Sequence, residues 1–171
     1  MLPIDGEVEY AITGELDLHV PMGHGIHTVP LGPGKVVLRF HGNEVTMLSY
    51  QMHESFTMSG RAGPFSTNVT TVADATSRAV MHGTLDGHVV RWREPLHQLR
   101  TDGTLTCSGF CGKFGLPPRG QSPFHVGAAD QTFDTFVFDA EMKTFTMAKV
   151  RGARPDDSTM PTAFTLKGTK R

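Results

Sequence analysis

Two glutamates stand where strand alternation points inward. In L-S-Y-Q-M-H-E-S-F-T-M, residues 48–58, the side chains of Leu48, Tyr50, Met52, Phe56 and Met58 fall on alternate positions, opposed by the polar Ser49, Gln51, His53, Ser55 and Thr57. Successive strand side chains face opposite ways, so this pattern describes one apolar face. Glu54 interrupts that face. An inward carboxylate has to be paired, hydrogen-bonded or neutral. If unpaired, its pKa rises, which suits proton transfer near neutral pH. A second case lies downstream. His88, Val90, Trp92, Glu94 and Leu96 share a register, and the face carrying the only tryptophan is the expected interior. Glu54 and Glu94 are therefore the candidate catalytic residues. Tyr50, Met52, Phe56, His82, His88 and Trp92 are the candidate ligand-binding wall, since ligand sites combine apolar walls with a few polar anchors. Three structural readings compete. A bulge could turn Glu54 into solvent, a salt bridge to Arg39, Arg78 or Arg93 could hold it, and Glu94, which precedes Pro95, could end its strand in water.

The remaining reactive side chains form no recognisable motif. His19, His24 and His27 cluster around a glycine loop, but their spacing matches no compact metal site, so no metal and no cofactor are expected. Cys107 and Cys111 could bridge across their short loop. Free thiols are the expectation, and zinc would need a second ligand pair that the chain lacks. There is no G-x-S-x-G elbow and no phosphate-binding G-x-x-x-x-G-K-[ST] loop. Asn68-Val69-Thr70 matches a glycosylation acceptor, which matters only in a secreted chain.

These side chains must be positioned by strands. Residues 7–20 alternate, with Val8, Tyr10, Ile12, Leu16, Leu18 and Val20 on one side, and Gly14 marks a bend in the inward register. Residues 21–35 contain four glycines and three prolines, which predicts a loop. His41-Gly42-Asn43-Glu44 and Asp86-Gly87 read as hairpin turns, and Thr101-Asp102-Gly103-Thr104 repeats the signal. Residues 65–82 begin as a strand, with a short helical turn predicted over Asp74 to Met81. Residues 109–123 read as a second loop. Residues 132–138, 143–150 and the segment around Phe164 and Leu166 read as strands. Frequent turn signals without any long amphipathic helix predict an all-β fold. We expect one domain over residues 1–171, an antiparallel β-barrel of lipocalin-like or calycin-like pattern, with a β-sandwich as the alternative.

Composition narrows the function classes. The 171 residues are 38% hydrophobic and 19% charged, which excludes a disordered chain. No run approaches the roughly 18 apolar residues of a spanning helix. Outer-membrane barrels also alternate, but the short hairpins with interspersed charges argue against one. Net charge is −1 and no basic patch stands out, which lowers a nucleic-acid role. The N-terminal M-L-P-I-D-G-E-V-E lacks the features of a secretory signal. The resulting expectation is a soluble, cytoplasmic barrel that binds a small apolar molecule in a hydrophobic cavity, with neither membrane nor nucleic acid as partner. The alternatives are a cofactor-independent acid/base enzyme in that cavity (an isomerase, cyclase or hydratase) and a non-enzymatic module whose Gly/Pro loops bind a protein.

Overall fold

A computed structural model describes residues 5–19, 26–111, 121–153 and 162–171. They form eleven strands: β1 (Gly6–His19), β2 (Ile26–His41), β3 (Glu44–Ala62), β4 (Phe65–Ser77), β5 (Met81–Asp86), β6 (Val89–Trp92), β7 (Leu96–Gly109), β8 (Gln121–Gln131), β9 (Phe136–Phe138), β10 (Thr144–Arg151) and β11 (Thr162–Lys170). All pairings are antiparallel, and no α-helix occurs among the described residues. The strand order is β2-β1-β11-β10-β9-β6-β5-β3, and β2 also pairs with β3, so these eight strands close on themselves. The fold is thus a barrel rather than a sandwich. It is not a simple meander, because β4, β7 and β8 continue from β3 outside this ring.

The branch lies within β3. Its first residues, Glu44 to Met47, pair with β5, and from Tyr50 onward the same edge pairs with β4. Against β2, Leu38 lies opposite Met47 while Val37 lies opposite Ser49, so β3 bulges at Leu48. The extra residue reverses the side-chain alternation. Met47, and not Leu48, is therefore fully buried below the bulge, while Tyr50 and Met52 keep the inward register above it.

Several turn-like sequences are absorbed into strands. Residues 26–35 belong to β2, whose register against β1 shifts between Ile12 and Gly14, opposite Gly34 and Leu31. The glycines and prolines here make a bulge inside a strand rather than a loop. Gly14 is needed for close approach, since a Cβ there would lie 2.0 Å from the Thr165 carbonyl oxygen. Gly103 likewise sits inside β7, where a Cβ would come within 2.4 Å of the Val72 carbonyl oxygen, so Asp102-Gly103 is not a turn. The helical turn predicted over Asp74 to Met81 does not form. Ala73, Ala75 and Ser77 face inward and Asp74 faces outward, so strand alternation runs to the end of β4. The Asp86-Gly87 and His41–Glu44 turns stand as expected, with Gly42 and Gly87 at φ near +60°.

Eight strands enclose just enough space for side chains to fill, and here they fill it with aromatics. Phe136 stacks on Phe145 at 4.3 Å, and Tyr10 meets Phe138 and Phe145 edge-on at 5.6 and 5.5 Å. The Tyr10 hydroxyl donates to the Met142 carbonyl oxygen at 2.8 Å. Outward positions on β1 and β2 carry Glu7, Glu9, Glu15, Lys35 and Arg39.

Candidate functional site

Glu54 lies on the inner face of β3 between its rung partners Leu31 on β2 and Ala73 on β4. Tyr50 and Met52 precede it on that face, and the half-buried Phe56 and Met58 follow. No hydrogen bond or ion pair engages the Glu54 carboxylate among the described residues. Burial pushes its pKa up to about 6. The Asp74 carboxylate adds to the rise, and His53 opposes it. Tyr50 is held above the usual phenol value, first by burial and then by the Glu54 charge. A carboxyl group titrating near pH 6 can exchange a proton under mild conditions.

The other candidates do not gather around it. Met52 is fully buried in the core, and Tyr50 packs edge-on against Phe133 at 5.4 Å. Trp92 does face inward, half-buried against Phe136 at 5.1 Å, and its Nε1 has no hydrogen-bond acceptor among the described residues. His82 and His88 are exposed. Glu94, expected inward, sits on the outer wall. It accepts a hydrogen bond from the His82 backbone N–H at 2.6 Å and lies 2.7 Å from His82 Nδ1. Those contacts hold its carboxyl below the usual range. Glu94 is two residues beyond the last residue of β6, where the alternation that aims Trp92 inward no longer applies. His24 lies outside the described residues, and among those described no group of three His, Cys, Asp or Glu residues is arranged to hold a metal.

Two features were not visible in the linear pattern. Above Glu54, β3 no longer pairs with β2, and with β4, β7 and β8 it continues as a four-stranded flap beyond the closed ring. The outer face of this flap carries a row across all four strands, His53, Asp74, Asp102 and His125. His53 Nδ1 lies 2.9 Å from Asp74, and His125 contacts Asp102. Further up, the face is neutral, with Thr57 hydrogen-bonded to Thr70 at 2.9 Å and Ser59 bonded to Asn68. The second feature is at the tip. Cys107 and Cys111 are joined by a disulfide, contrary to the expectation of free thiols. The two residues are four apart and their Cα atoms lie 6.0 Å apart, within bridging range. Gly109, at φ +87°, allows the fold-back.

No family model and no curated protein sequence matches this chain. Among solved structures it is similar to Ail, the attachment invasion locus protein of Yersinia pestis, an outer-membrane β-barrel, with a TM-score of 0.54 over 98% of both chains at 7% identity. At that identity the likeness concerns the fold.

This finding corrects four expectations. The soluble barrel with a small apolar ligand is not supported, because the fold is shared with an outer-membrane barrel and the interior is occupied by its own aromatic side chains. The isomerase, cyclase or hydratase alternative falls with it, since it required the same cavity. The exclusion of a membrane partner and the cytoplasmic placement are also withdrawn. Both rested on helical hydropathy, the N-terminal residues and the charges between short hairpins, and the fold is shared with an outer-membrane barrel. The disulfide adds to this, since such bonds persist mainly in oxidising compartments. The polarity of the wall belongs to this chain itself. Its inner face is apolar and its outer face charged, whereas an outer-membrane barrel has an apolar outer band.

Proposed function

We propose that this chain is an attachment protein acting outside the reducing cytoplasm, with the packed barrel as a rigid platform and the β3-β4-β7-β8 flap as the contact element. The observation that carries this reading is the flap itself. It rises past the closed ring, its β8 edge has no ladder partner among the described residues, and a disulfide ties its tip. Its inner face packs through Phe56, Met58 and Leu99, and its polar outer face and open β8 edge are left available for contact. The structural neighbour is an attachment protein by its title, which supports the same reading. The finer lipocalin-like description of the barrel has no part in it, because three strands leave the ring.

The test is attachment of whole cells to beads coated with the full chain. Beads carrying the chain should retain several times more cells than beads coated with an unrelated protein. The Cys107→Ser/Cys111→Ser variant, checked by circular dichroism for intact strands, should retain fewer. Equal retention by the chain and the unrelated protein would remove the attachment reading.

A further inference from the structure

We propose that the open edge of β8 pairs with β8 of a second copy of this chain, antiparallel about a twofold axis, with His125 of each copy opposite Asp130 of the other. The pairing goes beyond the attachment reading and does not depend on it.

β8 ends the flap, and among the described residues its free edge has no ladder partner. The backbone groups of such an edge are a template for another strand. Which strand fits is set by where the side chains of β8 point. Ser122, Phe124 and Val126 are half-buried and alternate with exposed neighbours. Gly127 and Ala128 are both exposed, and Ala129 and Gln131 are buried. The alternation therefore slips by one residue at this point. The ladder records the same bulge, since Thr101 lies opposite Val126 while Leu99, two residues earlier, lies opposite Ala129. As a result His125 and Asp130, of opposite parity, both face outward. His125 contacts Asp102, and Asp130 lies 2.9 Å from His97 Nδ1.

A twofold axis perpendicular to the sheet keeps the outer faces of two paired copies on the same side. With the axis between Gly127 and Ala128, Phe124 meets Gln131, His125 meets Asp130 and Val126 meets Ala129. Inward residues then oppose inward ones, and outward residues oppose outward ones. An axis through Gly127 or through Ala128 itself would set inward against outward residues across the bulge. Charge favours the same register. His125 and Asp130 are the only ionisable side chains of β8, and they meet as imidazole and carboxylate. The chain already makes that cross-strand pair at His53–Asp74, His97–Asp130 and His125–Asp102. Pro123, which has no N–H to offer, falls outside the paired residues 124–131. Gly127 fits as well. A Cβ there would meet nothing within 4 Å, and its φ lies outside the left-handed region, so the single chain does not require a glycine. Close approach of two backbones at the axis does. The pairing joins the two four-stranded flaps into one sheet with a continuous outer face.

The experiment is sedimentation velocity of the full chain at up to about 100 µM, because a contact made mainly of main-chain bonds belongs to the small, transient class of interfaces. The wild type should form a dimer that grows with concentration, and amide exchange over residues 124–131 should slow in step. Gly127→Glu/Ala128→Glu gathers like charges at the axis and should weaken association about tenfold or more. Both positions are exposed, so circular dichroism and Trp92 emission should stay unchanged. Gln121→Glu lies on the same edge but outside the paired residues and should leave the dimer intact. A wild type that stays monomeric over this range overturns the proposal. So does a dimer without slowed exchange at 124–131, a double variant that dimerises like wild type, or an equal loss with Gln121→Glu.

Discussion

Glu54 and Tyr50 share the inner face of β3, and burial holds each away from its charged form, with the Glu54 charge raising Tyr50 further. Glu54 lies where the closed ring gives way to the flap, in the last β2–β3 rung opposite Leu31. That position explains an inward carboxylate without a partner. It is low enough to be desolvated and high enough to lie beyond the fully packed aromatic core.

The sign of the resulting pH dependence is fixed. The folded-state pKa of about 6 exceeds the ordinary 4.5, so the folded chain holds the Glu54 proton more tightly than the unfolded chain. Stability from this group is complete below pH 4.5 and is lost as pH rises through 6. The loss amounts to about 2 kcal/mol. Glu54→Gln removes the titration. Denaturant unfolding should show the Gln variant gaining on wild type by up to about 2 kcal/mol between pH 4 and pH 7.5. An identical difference at both pH values would show that Glu54 is solvated.

Gln131 joins the base of β8 to the end of β10, where no backbone ladder connects them. Its side chain donates to the carbonyl oxygens of Thr132 and Arg151 and accepts from the Ala153 N–H, while only 3% of the residue is exposed. Gln131→Leu keeps the volume and removes all three bonds. We expect a loss of about 2–3 kcal/mol, because buried polar groups would be left without partners. Urea unfolding measures it, and a change below about 0.5 kcal/mol would mean that this seam is not a structural joint.

The disulfide closes a short loop, so its contribution should be modest and local. Chain-entropy reasoning gives about 2 kcal/mol at most for so small a ring. Cys107→Ser/Cys111→Ser should accelerate amide exchange in β7 and β8 of the flap while leaving β1 and β11 protected. Uniform acceleration across the barrel would contradict an independent flap. Alkylation of the unreduced, unfolded chain should modify no cysteine, and alkylation after reduction should modify two.

Trp92 reports on the inner wall. A Cβ at Gly83 would meet the Trp92 ring at 2.8 Å and the Arg91 carbonyl oxygen at the same distance. Gly83→Ala should therefore push the indole away, costing about 1–3 kcal/mol as overpacked sites do. Its emission should move to longer wavelength relative to wild type. Unchanged emission and stability would place Trp92 away from the wall.

Local pattern in the sequence was enough to define many of the strands and the inward direction of Glu54. The alternation through Tyr50, Met52 and Glu54 set the inward direction of that carboxylate, and Asp86-Gly87 set a hairpin, because side-chain period and turn conformation are properties of a few adjacent residues. Tertiary structure decided everything that depends on which strands meet. Gly103 looked like a turn residue until Val72 was brought against it, and Gly32-Pro33 looked like a loop until β1 paired with Leu31 and Gly34 on either side of it. Glu94 faced inward by parity and outward in fact, because its strand ends at Trp92. The closed ring, the flap and the His53-Asp74-Asp102-His125 row join residues far apart in the chain. The Cys107–Cys111 bridge was open to either outcome by spacing alone. Phe65 and Phe110 fall forty-five positions apart, and only the β4–β7 pairing brings their rings to 4.6 Å. Long-range register is a collective choice among competing pairings, so no short window of sequence contains it.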